Sequence, residues 1–539
     1  MTKANYVGMG ALTARLLTVW ALLLAFAAPA QAQLSGFEQA LAEAASADSA
    51  LASFYGDRGY APIWTTGLDA ERRAALFAAL AAAPDHGLPA ARYGAEALSA
   101  RFASLRTERD RARLEAAVSL ALLTYARDVQ LGVVTNPASL EEGLLRKPKQ
   151  QDRLAILEAF AAAADPAAFL HTLPPQDPEY AQLMRAKFDI EAALARGGWG
   201  PKVPATGKLE PGATGPAVIA LRDRLIALGY LARSASASFD TALQAAVQQF
   251  QLDNGLSADG VAGETTLGEI NREPEERLRA IVVAMERMRW MYGTERGERH
   301  VWVNLPDFSA KIIDDGKVTF QTVTVVGQNL RNTRSPEFSD QIEHMVINPS
   351  WYVPRSITVS EYLPMLQANP GAVSYLDLID QTGRVISREG IDFVQFDANS
   401  FPFDLKQGPS NANALGLVKF MFPNVHNIYL HDTPSKSLFA RETRAFSHGC
   451  IRLGDPFDFA YALLARQSSD PQGLFAHYLH SGQESTLPLE KFVPVHLVYY
   501  TAWPNAKGRV EFRRDIYGRD ALIFQALQNA GVALPSWQS

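Results

Sequence analysis

Cysteine is almost missing from this chain: 539 residues contain one, Cys450. No disulfide within the chain is possible, so its stability must come from packing and polar pairing. Basic residues are not in excess either. The 51 Lys and Arg are outnumbered by 57 Asp and Glu, for a net charge of −6. A nucleic-acid binder needs a basic face, so that class is disfavoured. Beyond residue 28 no apolar run approaches the roughly 20 residues that cross a bilayer. Composition is otherwise that of a globular protein, 47% hydrophobic and 20% charged, and the length suggests about three or four domains.

The one apolar run that stands out is at the start. Lys3 and Arg15 precede Leu16 to Ala28, and Ala30-Gln31-Ala32 supplies a small-x-small cleavage site. Residues 1–32 therefore read as a secretory signal, too short to anchor, and the mature protein is expected to be exported with no membrane span. Losing Lys3 and Arg15 takes the net charge from −6 to −8. Exported proteins usually pair their cysteines. A lone thiol there is an intermolecular partner, a reactive group or a buried passenger.

Residues 33–200 read as a helical scaffold. Leu114, Val118, Leu122, Tyr125 and Val129 recur at helical spacing, and that helix should end near Gly132. The aromatic stretch Phe54 to Trp64 and the segment Asp85 to Pro89 interrupt the helices as structured loops. Gly197 to Pro204 is rich in Gly and Pro and reads as a linker. A compact unit follows over 207–271. Val218, Leu221, Leu225 and Leu228 line one helix, Asp240 caps a second carrying Leu243, Val247 and Phe250, and Gly263-Glu264-Thr265 starts a third. Residues 272–300 hold one more helix, with Ile281, Met285 and Met288 on one side. From Val301 the period changes to two, with a hairpin turn at Asp314-Asp315-Gly316-Lys317 and strand character from Val493 to Tyr500. This β-rich domain is expected over 301–505, with a lid-like insertion over 357–416. Asp455 is placed to cap a helix through Leu464. Residues 506–539 read as a hairpin and a last helix.

The chemistry gathers at Ser447-His448-Gly449-Cys450-Ile451-Arg452. A thiolate is the nucleophile, and a free thiol with a pKa near 8.5 needs a base. His448 is the nearest in sequence and the expected base. Gly449 lets the backbone approach a substrate carbonyl, and N–H groups at Gly449 and Cys450 offer an oxyanion hole. The set fits acyl transfer through a thioester. Zinc is the rival use of His426, His431, His448 and Cys450, but only His426 and His431 come near ligand spacing. His426, among Phe and Pro, reads as a buried structural histidine.

Two resemblances rest on these residues. Leu221…Leu225…Leu228-Gly229, Phe239-Asp240, Val247-Gln248-Gln249-Phe250-Gln251 and Gly255 to Gly263 resemble the peptidoglycan-binding type 1 domain. His431-Asp432-Thr433-Pro434, followed sixteen positions after His431 by Ser447-His448-Gly449-Cys450-Ile451-Arg452, resembles the catalytic signature of the YkuD-type L,D-transpeptidases. Asn348 to Pro354, Asn413 to Gly416 and Phe422-Pro423-Asn424 fall where the large periplasmic members have matching segments; Gly408 to Asn413 is longer than expected.

The resemblance implies a multi-domain α+β chain. It would combine a β-rich, sandwich-like catalytic domain bearing a capping insertion with a helical scaffold and a small three-helix wall-binding domain. It also implies a periplasmic enzyme acting on peptidoglycan stem peptides, with no metal or organic cofactor. Cys450 would be the nucleophile, His448 and His431 the histidines that share proton transfer, and Ser447 an orienting group. Arg452, Tyr429 and Trp351 are expected at the substrate. A cell-wall cysteine hydrolase of the NlpC type is disfavoured because there the cysteine precedes the histidine. A carboxypeptidase outcome and a non-catalytic wall-binding scaffold stand as alternatives.

Overall fold

The structure is a computed structural model that describes Met1, residues 34–204 and residues 207–535. Apart from Met1, the signal segment 1–32 lies outside the described residues. Among the described residues no helix is long and apolar enough to cross a membrane. The chain divides into two compact units. One comprises Met1–Leu76, Gly94–Leu123 and Asp152–Pro166, the other Phe77–Tyr93, Thr124–Gln151 and Ala167–Ser539.

The first unit is helical, and a buried carboxylate explains its aromatic loop. Glu115, fully buried, accepts from the Trp64 and Thr65 N–H groups, the Thr65 hydroxyl and the Tyr55 hydroxyl. The end of the loop, Ile63 to Thr65, thus has its backbone donors satisfied from one side chain, while Gly59, Tyr60 and Ala61 donate to backbone carbonyls.

In the second unit, the helix Pro274–Trp290 departs from the one-sided pattern. Ile281, Met285 and Met288 are buried, and so are Arg277, Glu286, Arg287 and Arg289. The charges tolerate burial because each is paired. Arg289 meets Glu286 at 2.9 Å and the Tyr180 hydroxyl at 2.8 Å, while Arg287 meets Asp520 and, at 3.4 Å, Glu337. The three helices Pro216–Ala227, Thr241–Asp253 and Glu264–Ile270 enclose a core of Val218, Leu221, Leu225, Leu243, Val247 and Phe250. Asp240 caps the second of them, accepting from Leu243 N at 2.9 Å.

The β-rich part is built from β1 (Arg299–Asn304), β2 (Ser309–Asp314), β3 (Lys317–Gly327), β4 (Phe338–Ile347), β5 (Trp351–Tyr352), β6 (Asp377–Ile379), β7 (Asp404–Gln407), β8 (Val418–Met421), β9 (Leu430–His431), β10 (Ala445–Ser447), β11 (Ile451–Leu453), β12 (Ser485–Val498), β13 (Ala502–Pro504) and β14 (Val510–Phe512). The main sheet runs β10-β3-β11-β9-β8-β4-β12-β1-β2, and a further β2–β3 pairing closes it on itself. The sandwich-like expectation is met by a sheet folded round until β2 and β3 pair. Val301, Val303, Ile342, Ile347, Phe420, Leu430, Ile451, Phe459 and Leu497 fill the enclosed core. The hairpin at Asp315-Gly316 is as read, with Asp314 opposite Lys317. β12 is longer than the strand expected over 493–500, beginning at Ser485. Asp455 does not cap its helix: its carboxylate accepts from the Thr322 hydroxyl at 2.8 Å, which ties the helix Pro456–Leu464 to β3 instead.

A second, three-stranded sheet, β5-β7-β6, has its own core of Trp351, Leu363, Leu366, Leu378, Phe393, Phe401 and Leu405. Asn413 ties it to the main sheet region. Its buried amide donates to the Pro349, Gln407 and Gly408 carbonyls at 3.1, 3.2 and 2.9 Å.

Glu337, just before β4, is a junction. It pairs with Arg287 and with Arg519 of the helix Arg519–Asn529, and its backbone bonds the Gly143–Leu145 segment. Glu337→Ala is expected to lower stability by about 3 kcal/mol, the low end for breaking a buried pair, because each guanidinium keeps a second carboxylate. Glu337→Gln should cost less. The shift in denaturant midpoint measures both, and an unchanged midpoint for Glu337→Ala would show the pairs to be idle.

Candidate active site

The site follows from one strand pairing. β9 and β11 run parallel, with Leu430 opposite Ile451 and His431 opposite Arg452. Side chains alternate along a strand. Leu430, Ile451 and Leu453 point into the core, so Tyr429, His431, Cys450 and Arg452 share the other face. β8 pairs Lys419 with His431 and adds its amine to that face.

The contacts agree. The Cys450 thiol, half-buried, donates to the Asn427 carbonyl at 3.4 Å. The Tyr429 backbone and hydroxyl act on the sulfur to lower its pKa. Tyr429 stands edge-on to the His431 ring at 5.6 Å, and the Lys419 amine lies 5.9 Å from the Tyr429 ring centre. Burial pushes the Cys450 thiol up to about 11, against the Tyr429 hydrogen bonds and the Arg452 and Lys419 charges, which pull it down. Burial, reinforced by the Arg452 charge, pushes His431 down to about 3. At neutral pH the thiol and this imidazole are therefore both uncharged. His431 Nδ1 faces the Asp432 carbonyl, so Nδ1 carries the hydrogen and Nε2 the lone pair, with the Leu415 backbone also beside the ring.

Asp432 holds this histidine's surroundings. Its carboxylate accepts from Leu417 N at 2.9 Å, Thr433 N at 2.7 Å and the Lys436 amine at 2.7 Å. It packs against Gly416 so closely that a Cβ there would sit 2.3 Å from the carboxylate.

The loop Ser447 to Cys450 is shaped by hydroxyls. Ser447 Oγ donates to the Cys450 carbonyl at 2.5 Å and accepts from Gly449 N at 3.1 Å. This corrects two expectations: Ser447 braces the loop and orients no histidine through these bonds, and the Gly449 N–H is already engaged, so it offers no free oxyanion donor. The Gly449 carbonyl accepts from Ser335 at 2.6 Å. Ser335 in turn accepts from Gly327 N, and Tyr517 donates to the Gly327 carbonyl at 2.6 Å. Gly449 has φ +117, and an added Cβ would lie 3.1 Å from Ile428.

His448 has a carboxylate neighbour. It is exposed, and its Nε2 lies 2.6 Å from a Glu361 carboxylate oxygen in the turn Thr358–Tyr362. That turn is π-helical, a form often found at functional sites. Trp351 is 9% exposed and belongs to the core of the small sheet, edge-on to Tyr362 at 6.3 Å. Tyr429 packs against that same core, so Trp351 supports the site from behind. His426 is exposed, not buried, and stands beside Phe338 on the loop that carries Asn427. Arg452 Nε is buried without a hydrogen-bond partner. Among the described residues no three His, Cys, Asp or Glu side chains converge as metal ligands.

Lys419, Glu361 and Asn427 were not read from the sequence. Lys419 had a signal: it is the charged residue between Val418 and Phe420, where alternation sets it on the face opposite the core. Glu361 and Asn427 had none.

Known proteins resemble this chain by segment. Residues 298–468 match the family described as "L,D-transpeptidase catalytic domain", residues 49–186 the "Scaffold domain" and residues 214–270 the "Putative peptidoglycan binding domain". A Haemophilus influenzae protein described as "Putative L,D-transpeptidase" is 32% identical over 225 residues, which cover 41% of this chain and 45% of that protein. The matched stretch thus spans under half of that relative. An L,D-transpeptidase structure from Xylanimonas cellulosilytica is 17% identical, covering 55% of this chain and 98% of that one, with a TM-score of 0.18. One from Stackebrandtia nassauensis is 16% identical, covering 55% and 96%, with a TM-score of 0.21. Overlays at these scores do not bear on the fold.

The thiol should alkylate slowly at neutral pH and faster as pH rises toward about 11. Tyr429→Phe removes a hydrogen bond that favours the thiolate, so its alkylation profile should shift to higher pH. Iodoacetamide rates across pH check both, and a wild-type midpoint below 8 would contradict the buried, neutral thiol. Gly449→Ala forces a Cβ into a left-handed backbone and should cost about 1–3 kcal/mol locally, seen as altered thiol reactivity with the global melting point nearly kept.

The strand pairing, the polar face around the thiol and the three segment matches converge: this chain carries a YkuD-type L,D-transpeptidase catalytic domain, joined to a scaffold domain and a domain of the peptidoglycan-binding type.

Proposed function

We propose that the chain is an exported, periplasmic enzyme that rearranges peptide bonds in peptidoglycan, with Cys450 as nucleophile. The observation that carries this reading is the shared face of β8, β9 and β11, where a neutral thiol and a neutral imidazole lie among two cations. The substrate is a stem peptide whose third residue, a diamino acid linked through its L-centre, is joined to D-Ala. The thiol attacks that carbonyl as its proton passes to His431 Nε2. The C–N bond breaks, the proton goes to the leaving amine, and D-Ala departs. An amine of a second stem then displaces the thiol from the thioester and leaves a 3→3 cross-link.

His431 is favoured over His448 as the base because it shares the thiol's face with a lone pair on Nε2, while His448 is engaged with Glu361. Arg452 and Lys419 favour the negative charge that builds on the carbonyl oxygen. The unpartnered Arg452 Nε is a donor for a substrate carboxylate. The small sheet and its Glu361 contact form a cap over the thiol loop, and the three-helix module supplies the wall contact.

Incubation with sacculi or tetrapeptide muropeptides, followed by mass analysis, tests the reading. Wild type should release D-Ala and form a new dimer, and Cys450→Ala should do neither. His431→Asn should lose roughly 10²–10⁴-fold, the usual worth of a positioned base, while His448→Asn stays within a few-fold. Tripeptide monomer without dimer would instead assign water as the acceptor. A wild type with no cysteine-dependent product would leave the wall-binding scaffold reading in its place.

A further inference from the structure

Away from the thiol, two cavities join along the β1–β2–β3 side of the main sheet. One of about 580 Å³ and one of about 330 Å³ share Asp307, Ser309, Gln321 and Arg513 in their walls. Both fall within the size range of small-molecule sites. Neither is lined by the residues proposed for catalysis.

The larger cavity has an aromatic wall. Trp503 is its half-exposed member, 4.5 Å from Tyr500 and 5.6 Å from Trp302, and Trp302 and Tyr500 stack at 6.0 Å. The flat face stands beside Gln182, Lys311 and Gln321. The Gln182 and Gln321 amides make no side-chain hydrogen bond among the described residues, although each can make several. A rigid aromatic face bordered by idle amides suits a pyranose ring, which is apolar on its C–H faces and ringed by hydroxyl and acetamido groups.

The smaller cavity continues the groove to the three-helix module. It is lined by Leu256 and Ser257 of that module and by the Arg441–Arg444 segment that enters β10. Ser257 N donates to the Glu442 carboxylate at 3.1 Å across it. Arg513 is neutralised by Asp307 and Glu511. Arg444 donates only to backbone carbonyls, and exposed Arg441 has no carboxylate partner among the described residues. The end near β10 thus adds two guanidinium groups, Arg441 and Arg444, against the one carboxylate of Glu442.

We infer that this groove seats a chain of N-acetylated amino sugars, its pyranose rings on the Trp503 face and its acidic peptide substituents toward Arg441 and Arg444. The inference rests on the peptidoglycan reading above and adds a glycan site separate from the thiol and bordered at one end by the three-helix module. A strand held there lies beside the segment that leads to the nucleophile.

The test is calorimetric titration of the full-length Cys450→Ala chain with chitohexaose, a peptide-free chain of N-acetylglucosamine. Trp503→Ala should weaken binding by about tenfold, as loss of a central aromatic contact does. Gln182→Ala with Gln321→Ala touches no core residue, should weaken it several-fold, and serves if Trp503→Ala fails to fold. Glycan strands bearing tetrapeptide stems should bind more tightly than chitohexaose, and Arg441→Ala with Arg444→Ala should remove that advantage. Full affinity in the paired amide variant, or no binding of the hexasaccharide to the parent at millimolar concentration, would overturn the inference. D-Ala release from a sugar-free tetrapeptide, measured in chains that retain Cys450, separates the two readings. Release that the groove substitutions leave untouched upholds catalysis whatever the titration shows, and its absence beside groove-dependent sugar binding would leave the groove standing alone.

Discussion

The parallel pairing of β9 with β11 is the constraint on which the site depends. Each strand is only two or three residues long. Because side chains alternate, burying Leu430 and Ile451 puts Tyr429, His431, Cys450 and Arg452 together on the opposite face. A slip of one residue would send the reactive groups into the core and the aliphatic ones out. The hydrophobic core therefore sets the register, and the register composes the chemistry. The same burial decides the resting protonation: desolvation raises the thiol and lowers the imidazole, so both favour their neutral forms.

The loop around Gly449 depends on residues far away in the chain. Ser335 holds the Gly449 carbonyl, Tyr517 and Ser335 hold Gly327, and Tyr499 links Tyr517 to Asp515, donating to its carboxylate and accepting from Tyr517 N. The segment after residue 505, which reads as a hairpin and a last helix in sequence, is part of the support for the Cys450 loop. Glu337 plays a similar part at larger scale, meeting the buried helix Pro274–Trp290, the Gly143–Leu145 segment and the C-terminal helix. From the other side, Glu361 brings the small sheet into contact with the same loop through His448.

Much of this was legible before any coordinates. The hairpin at Asp314 to Lys317, the Asp240 cap, the end of a helix at Gly132 and the three helices of the small module all follow from local rules of turn, cap and period. Cys450 stood out by its solitude and by Gly449, whose left-handed backbone only glycine adopts easily. The misses share a cause. Asp455 was free to cap a helix or to reach across to Thr322, and a partner 133 positions away leaves no trace beside it. The burial of Arg287 and Arg289 left no local trace either, because Glu337, Asp520 and Tyr180, which meet them, come from other segments. The Glu361 partner of His448 likewise lies 87 positions away in the chain.

By itself the sequence determined the local conformations, the periodicities that sort core from surface, and the presence of a thiol, two histidines and a glycine turn in one short reach. Those depend on sterics and side-chain chemistry within a few residues. Only the tertiary structure decided which histidine shares the thiol's face, that the thiol and His431 are both neutral, that Lys419 joins them, and that an aromatic groove runs from the helical part toward β10. Each of these depends on strand register or burial, which are set by contacts between segments distant in the chain.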